Sequence, residues 1–423
     1  MNLPFFIANR LAFSKKSSIS GTIIRIAIAA IGISITAMIL AVFMIRGFQE
    51  SISEKIFGFW GHIDISGMES TNEISLSPLV DFDPYIDEIL NIDTISYYDD
   101  NDKEVDVKCK IEGVQKYIIY PAILLSKSGY EGIVAKGVGE DFFRNYLSGY
   151  LKKGNIPDFG SDKAKEEILI SKYTADRLNL DNGKYLIINF FTDNQQIKKR
   201  LKISGIYSTG LMEYDKKLSF VDIDLIREAI SWDKNEIGGV EVFIEDINNA
   251  ELLNQYIYSE ILPAEIYSMT IQRKFPSIFE WLKIQNLNEK VILVLMLIVS
   301  VINMITALLI LILEQTNMIG ILRALGMETS RIRSIFLYHA GFILLFGLLL
   351  GDFIGITISV LQKKYGFIKL DEANYYLSYA PIHFDFTALL LINLGTLLIT
   401  IIILIIPSYI VSKIDPIKTI SYR

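Results

Sequence analysis

The sequence predicts a membrane α-helical protein: four transmembrane helices, with a large mixed α+β extracytoplasmic domain between the first and the second. Three observations predict it. Four long apolar runs are free of charge, the chain from residue 47 to residue 285 changes to a polar pattern of short alternating strands and helices, and lysine and arginine collect on one side of the runs. A mean hydropathy of +0.36 is too high for an ordinary soluble protein of 423 residues. The formal net charge of -7 argues against a nucleic-acid partner, because neutralising phosphates needs a basic face. Cys109 is the one cysteine, so neither an intrachain disulfide nor a cysteine-based metal cluster is expected. His62, His339 and His383 are too far apart for metal-ligand spacing, and no metal is expected in the chain.

The apolar runs cover residues 26–45, 291–313, 334–351 (continuing past Asp352) and 386–412. At about 1.5 Å per residue each is long enough to cross roughly 30 Å of hydrocarbon. They divide the chain into an N-terminal segment (1–20), a first span (21–46), the outer domain (47–285), a second span (286–313), a loop (314–333), a third span (334–361), a short outer loop (362–385), a fourth span (386–412) and a tail (413–423). Lys15, Lys16 and Arg25 precede the first run as they would in a signal peptide. Its apolar core is longer than a signal core, however, and "MIRGFQESISEKIF" continues as helix without a small-residue cleavage pattern, which favours a retained anchor.

Orientation follows from charge. The segment up to Arg25, the 314–333 loop and the tail together carry 10 Lys and Arg against 3 acids, whereas residues 47–290 carry 27 against 41. Both termini and the loop are therefore expected in the cytoplasm and the domain outside, with Trp60 and Trp281 flanking the domain at the depth of an interfacial belt. Asp352 is the one acid that interrupts an apolar run and so a candidate for proton coupling. It lies roughly 27 Å along the helix from Ser334, near the outer interface, where a hydrated or helix-paired carboxylate is the plainer expectation.

Within the domain, "KYLIINFF", "RLKISGIYSTG" and "GGVEVFIED" alternate as strands do, and "DPYIDEIL", "EDFFRNYLSGYL", "ISKYTADRLNL" and "VDIDLIREAI" have helical spacing. The chain contains no GxxxxGK[ST], HExxH or GxSxG, so no ATPase or hydrolase site of its own is expected and it is not predicted to be an enzyme. "KGVGED" holds Gly137 and Gly139 without the third glycine of a dinucleotide fingerprint and reads as a turn. Glu166 and Glu167 read as solvated surface.

After the second span, Met318, Ile321, Leu322 and Leu325 fall at i, i+3, i+4 and i+7 on one face of a short helix. Gly326 is placed to end it, and Thr329 and Ser330 to cap the next. Such a helix either rests on lipid headgroups or docks into a groove on a cytoplasmic partner, with Glu314 and Arg323 fixing its register. Composition alone leaves the two readings level.

The residues here resemble a known family. "ILEQTNMIGILRALG" is similar to the ERTREIGILKALG-type loop of the FtsX/MacB-type ABC permeases, with Gln315 where that family usually has arginine. "FFIANRLAFSKKSSISGTIIRIAIAAIGIS", "MIRGFQESISEKIFGFWGHIDI", "VAKGVGEDF", "EILISKYTADRLNLDNGKYL", "GIYSTGLMEYDK" and "PSYIVSKIDPIKTI" follow in order along nearly the whole chain and resemble blocks of the LolC/LolE lipoprotein-releasing branch. The resemblance implies that Glu314, Met318, Ile319, Gly320, Ile321, Leu322, Arg323, Leu325 and Gly326 couple the chain to separate cytoplasmic ABC ATPase subunits. ATP and Mg are then held by those subunits, with no cofactor in this chain. It further implies a dimer with a second permease copy or a paralogue in the bacterial inner membrane, lipoprotein cargo drawn from its outer leaflet, and a periplasmic carrier. A groove for lipid would fall at Phe43, Met44, Phe48, Ile52, Ile292 and Met296, for which plain lipid-facing or helix-packing surface is the other reading. The turn "FFTDNQQIKKR" is short and lacks the proline of the carrier-recruiting hairpin of the LolC-type subunit, so a LolE-like partner and a homodimer both stay open. A MacB-like efflux permease and an FtsX-like signalling protein that activates a periplasmic hydrolase are the alternatives.

Overall fold

The computed structural model describes residues 3–12, 19–70, 74–75, 77–98, 103–192, 196–371 and 375–413. The chain forms two compact units, one of Met1–Glu50, Trp281–Lys369 and Tyr379–Arg423, the other of Ser51–Glu280 and Leu370–Ser378. Lys15, Lys16, the tip of the "FFTDNQQIKKR" turn and the tail beyond residue 413 lie outside the described residues.

The first unit is helical, with α1 (Leu3–Ala12), most of α2 (Ile19–Trp60) and of α3 (Pro276–Glu314), α4 (Thr316–Ala324), α5 (Thr329–Tyr365) and α6 (Phe386–Ser408). Of these α2, α3, α5 and α6 are long and apolar enough to cross a membrane. They are apolar all round, so each divides its residues between a packed face and an outward one. On α2, Ile31, Ile35 and Ile39 are fully buried while Ile26 and Ile33 stand exposed. The packed face meets α5 at Gly347, Gly351 and Gly355, which recur every four residues and so share one side of that helix. A Cβ on Gly351 would come within 2.5 Å of the Ile35 Cβ, and one on Gly347 within 2.6 Å of Ile31 Cγ2. Thr36 Oγ1 donates to the Gly351 carbonyl at 3.1 Å, an interhelical bond that the missing side chains make possible.

Helix ends follow their local chemistry. Gly366 closes α5 in the left-handed conformation, its N–H donating to Gln362 O at 2.8 Å, and the Asp385 carboxylate caps α6 by accepting from Ala388 N–H at 2.8 Å. Just before α6, the His383 N–H donates to the Phe43 carbonyl at 3.0 Å. A Cβ on Gly47 would lie 2.8 Å from His383 N, so the glycine lets this segment lie flat on α2. Asp352 on α5 is helix-paired, receiving the Asn393 Nδ2 of α6 on both oxygens at 3.0 and 3.1 Å. No element is predicted for residues 1–20, yet Leu3–Ala12 is helical and sets Phe5 edge-on against Tyr338 of α5.

Among the described residues, the second unit is built on a ten-stranded sheet. Its strands are β1 (Ile63–Gly67), β2 (Ile111–Ser126), β3 (Gly129–Val138), β4 (Leu151–Gly154), β5 (Glu167–Ser171), β6 (Tyr185–Phe191), β7 (Gln196–Tyr207), β8 (Leu218–Asp222), β9 (Gly239–Ile244) and β10 (Ile266–Thr270). Their order is β10-β1-β9-β2-β3-β8-β5-β7-β4, with β6 paired to both β7 and β2. Most pairs are antiparallel, and β8 runs parallel to β3 as β7 does to β5. Helices Asp83–Leu90, Lys172–Arg177 and Ile223–Ile230 lie where their spacing predicts. One core joins strand residues such as Ile63, Ile118, Ile170 and Val242 to Ile89 and Ile226 of the helices.

Several local expectations are corrected. "KGVGED" is half strand and half turn: Lys136, Gly137 and Val138 end β3 and the expected turn follows at Glu140 and Asp141, while Gly137 is small because the Ile223 backbone passes 3.0 Å from where its Cβ would be. The helix predicted across "EDFFRNYLSGYL" is confined to Arg144–Ser148, because the chain turns at Gly149 and enters β4. Trp60 is not interfacial but 2% exposed, since α2 runs on to Trp60 and carries the ring into the second unit. Glu328 rather than Thr329 takes the N-cap position of α5, with no side-chain cap bond. Thr329 Oγ1 accepts instead from Arg323 Nη2 at 3.3 Å.

Candidate functional site

Between α3 and α5 the chain breaks helix at Gln315 and restarts as α4, and Glu314 is the last residue of α3. The break is held by Gln315 N–H on Leu311 O at 3.1 Å and Ile319 N–H on Gln315 O at 3.0 Å. The other end of α4 is a closed Schellman motif. Met327 N–H donates to Leu322 O at 2.9 Å and Gly326 N–H to Arg323 O at 3.0 Å, with Gly326 at φ +84°. The glycine expected to stop the helix does so by supplying a conformation that a side chain resists.

The four-residue stripe divides. Met318 and Leu322 pack on the core of the helical unit beside fully buried Ile319 and buried Gly320, whereas Ile321 is 55% exposed and Leu325 79%. One edge of α4 is thus fastened to its own unit. The other presents two large apolar side chains outward, with Glu314 exposed and Arg323 half-buried.

The residues chosen for a lipid groove are placed unequally. Met44, Phe48, Ile292 and Met296 are part-exposed in the helical unit, Phe48 lying edge-on to Trp281 at 5.4 Å. Phe43 is fully buried against Phe384, and Ile52 is fully buried within the second unit. Beside Met44 and Phe48 runs a polar belt that sequence reasoning missed. Arg46 pairs with Asp385 and reaches Glu289 at 4.0 Å, Gln49 bridges Leu282 O and Asn286, and His383 Nδ1 meets Glu50 at 2.5 Å.

The second unit holds a buried ionic cluster, also missed. Lys136 Nζ donates to Glu241 Oε1 at 2.5 Å and to the Phe59 carbonyl, and Gln115 donates to the other Glu241 oxygen. Next to it Lys274 Nζ and Tyr117 OH each reach Asp64 at 2.8 Å. The two ammonium groups lie 4.9 and 4.8 Å from the centre of the Trp60 ring, an indole in contact with two cations where α2 ends. Burial pushes the Lys136 ammonium down and the Glu241 carboxyl up, and their mutual contact opposes both shifts. His62 is held neutral nearby, lowered to about 4 by burial, its Nδ1 accepting from Ile244 N–H. The sequence signal for the cluster is a lysine inside the apolar run "GIVAKGV" and a glutamate inside "GGVEVFI", since neither residue is buried without a partner.

Known proteins resemble the chain over both units. Residues 26–257 match the model of the MacB-like periplasmic core domain, and residues 290–416, which contain α4, match that of the FtsX-like permease C-terminal domain. The chain is 23% identical to the lipoprotein-releasing system transmembrane protein LolC of Neisseria meningitidis serogroup B, over 98% of this chain and 97% of that protein. It is 19% identical to LolE of Haemophilus influenzae over the full length of both, and 26% identical to an uncharacterized membrane protein of Buchnera aphidicola over 98% of each. Among solved structures it is similar to the extracellular domain of the ABC-type transporter YknZ (13% identity, TM-score 0.33, covering 49% of this chain and 98% of that one). It is likewise similar to the periplasmic region of MacB from Actinobacillus actinomycetemcomitans (13%, 0.33, 51% and 91%).

Proposed function

Since the chain belongs to the FtsX/MacB-type family of ABC permeases, we propose that it serves lipoprotein release. In this reading the protein extracts lipid-anchored proteins from the outer leaflet of the bacterial inner membrane and passes them to a periplasmic carrier. The observation that carries it is collinearity, because the two proteins named above as lipoprotein-releasing align over at least 97% of both chains. The bias of lysine and arginine supports cytoplasmic termini, a cytoplasmic α4 and a periplasmic second unit.

Ile321 and Leu325 are the knobs that enter a groove on an ATPase subunit, with ATP and Mg bound there, and the closed end at Gly326 sets their direction. ATP binding shifts the permease between two states only as far as the ATPase docks one of them better. A second copy or a paralogue completes the transporter. Moving an acyl chain of about fifteen methylenes into water costs roughly 12 kcal/mol at about 0.8 per CH₂, so the route out must be lined with apolar surface. Met44, Phe48, Ile292 and Met296 supply that surface, and buried Phe43 backs them.

Mass spectrometry of the detergent-purified complex tests the reading. An ATPase subunit and an acylated protein are expected together with this chain. A soluble periplasmic hydrolase in place of the acylated protein would overturn it in favour of a signalling role.

A further inference from the structure

The connection from α5 to α6 does not stay within the helical unit. Its middle, Leu370–Ser378, belongs to the α+β unit, and the chain on either side belongs to the helical one. This strap folds on itself: Leu370 N–H donates to Ser378 O at 3.1 Å and Tyr375 N–H to Asp371 O at 2.9 Å, and Leu377 is buried. Tyr376 stands at φ +59°, a left-handed conformation that a bulky residue keeps only where its surroundings dictate it.

Those surroundings include Lys55. Its ammonium is 2.6 Å from the Tyr376 carbonyl, donates also to the Thr209 carbonyl, and lies 5.6 Å from the centre of the Tyr150 ring, with the residue only 8% exposed. The Thr209 side is itself braced. The Asp215 carboxylate accepts from Thr209 N–H, Gly210 N–H and, at 2.7 Å, the Thr209 hydroxyl. Burial pushes the Asp215 carboxyl up, and the Lys55 charge opposes that shift. A buried ammonium aimed at two carbonyls is a poor way to fill space, because desolvating it is unfavourable and an apolar side chain of that size is not penalised. What it achieves is to join three segments: α2, the loop after β7, and the strap.

We infer that the strap is a second line of force between membrane helices and the outer domain, with Lys55 as its pin; the inference rests on the permease reading above. Helices α2 and α3 each run unbroken from one unit into the other. The α5–α6 pair has no such helix, and the strap is its covalent path into the domain. Unpinned, that path is slack, and displacement of α5 and α6 is absorbed before it reaches the sheet.

The test uses the full chain reconstituted with its ATPase subunits in proteoliposomes carrying an acylated cargo, reading ATP hydrolysis and cargo release together. Lys55→Met is expected to keep hydrolysis within about twofold of wild type while release per ATP falls about fivefold or more. Amide exchange at residues 375–378 should quicken about tenfold with β8 and β9 unchanged, and Lys55→Arg should restore at least half of the release. Two glycines inserted after Lys369 lengthen the path without touching Lys55 and should lower release per ATP in the same way. Unchanged exchange or unchanged release per ATP in Lys55→Met overturns the inference. If Lys55→Met also loses protection in β8 and β9, the glycine insertion decides alone: lowered release supports the strap and unchanged release overturns it. Wild type that hydrolyses ATP and releases no cargo overturns the permease reading, and the inference with it.

Discussion

Lys136 and Glu241 are 105 residues apart in sequence and in contact within the sheet, neither exposed to solvent. Removing one charge leaves the other buried without its counter-ion, at a cost of about 3–5 kcal/mol, whereas replacing both by apolar residues of similar volume is often neutral or stabilising. Lys136→Met should therefore lower the thermal midpoint of the full-length chain in detergent by about 10 °C, and Lys136→Met with Glu241→Leu should recover most of the loss. A double variant that melts as low as the single one would show that the ion pair itself, rather than the orphaned charge, sets stability. Single residues were the least legible part of the sequence. Lys136 announces that it needs a partner, but nothing local says that the partner is Glu241. The glycines at 47, 347 and 351 are visible in the sequence, but what each one makes room for is fixed by a neighbour distant in the chain.

Elements were more legible, because their signal is periodic. The runs that became α2, α3, α5 and α6 stand out by length and hydropathy, and β6, β7 and β9 by alternation. Where the reading went astray, a tertiary demand overrode a local pattern: α2 runs on to Trp60, and Trp60 serves a pair of lysines instead of an interface. In α4 the sequence shows the stripe but not which edge of it the protein keeps for itself. The structure assigns Leu322 to its own core and Leu325 to the outside, which separates two kinds of variant. Leu325→Asp and Ile321→Asp should reduce stimulation of the cognate ATPase about tenfold or more with an unchanged melting curve. Leu322→Asp should lower the melting temperature as well, because it places a charge against Ile319 and its neighbours. Normal stimulation by Leu325→Asp and Ile321→Asp together would remove α4 from the coupling path.

At the scale of the molecule, one chain carries a helical unit and an α+β unit joined by two unbroken helices and a strap. The order of parts was legible from composition, since a bilayer admits only backbone that satisfies its own hydrogen bonds, and an acidic strand-rich interval must lie elsewhere. The share of the α5–α6 connection given to the second unit was not, because Leu370–Ser378 is too short to carry a periodic pattern. In the proposed function the whole assembly converts ATP-driven motion into the removal of an acyl anchor from a membrane. The most direct measurement follows one lipid-anchored protein, and the same protein without its acyl chains, in proteoliposomes holding this chain and its ATPase subunits, with a soluble lipoprotein carrier outside. The predicted result is ATP-dependent transfer of the acylated form, lipid intact, from vesicle to carrier. ATP hydrolysis that leaves the acylated protein in the vesicle, or that moves both forms alike, would contradict the account.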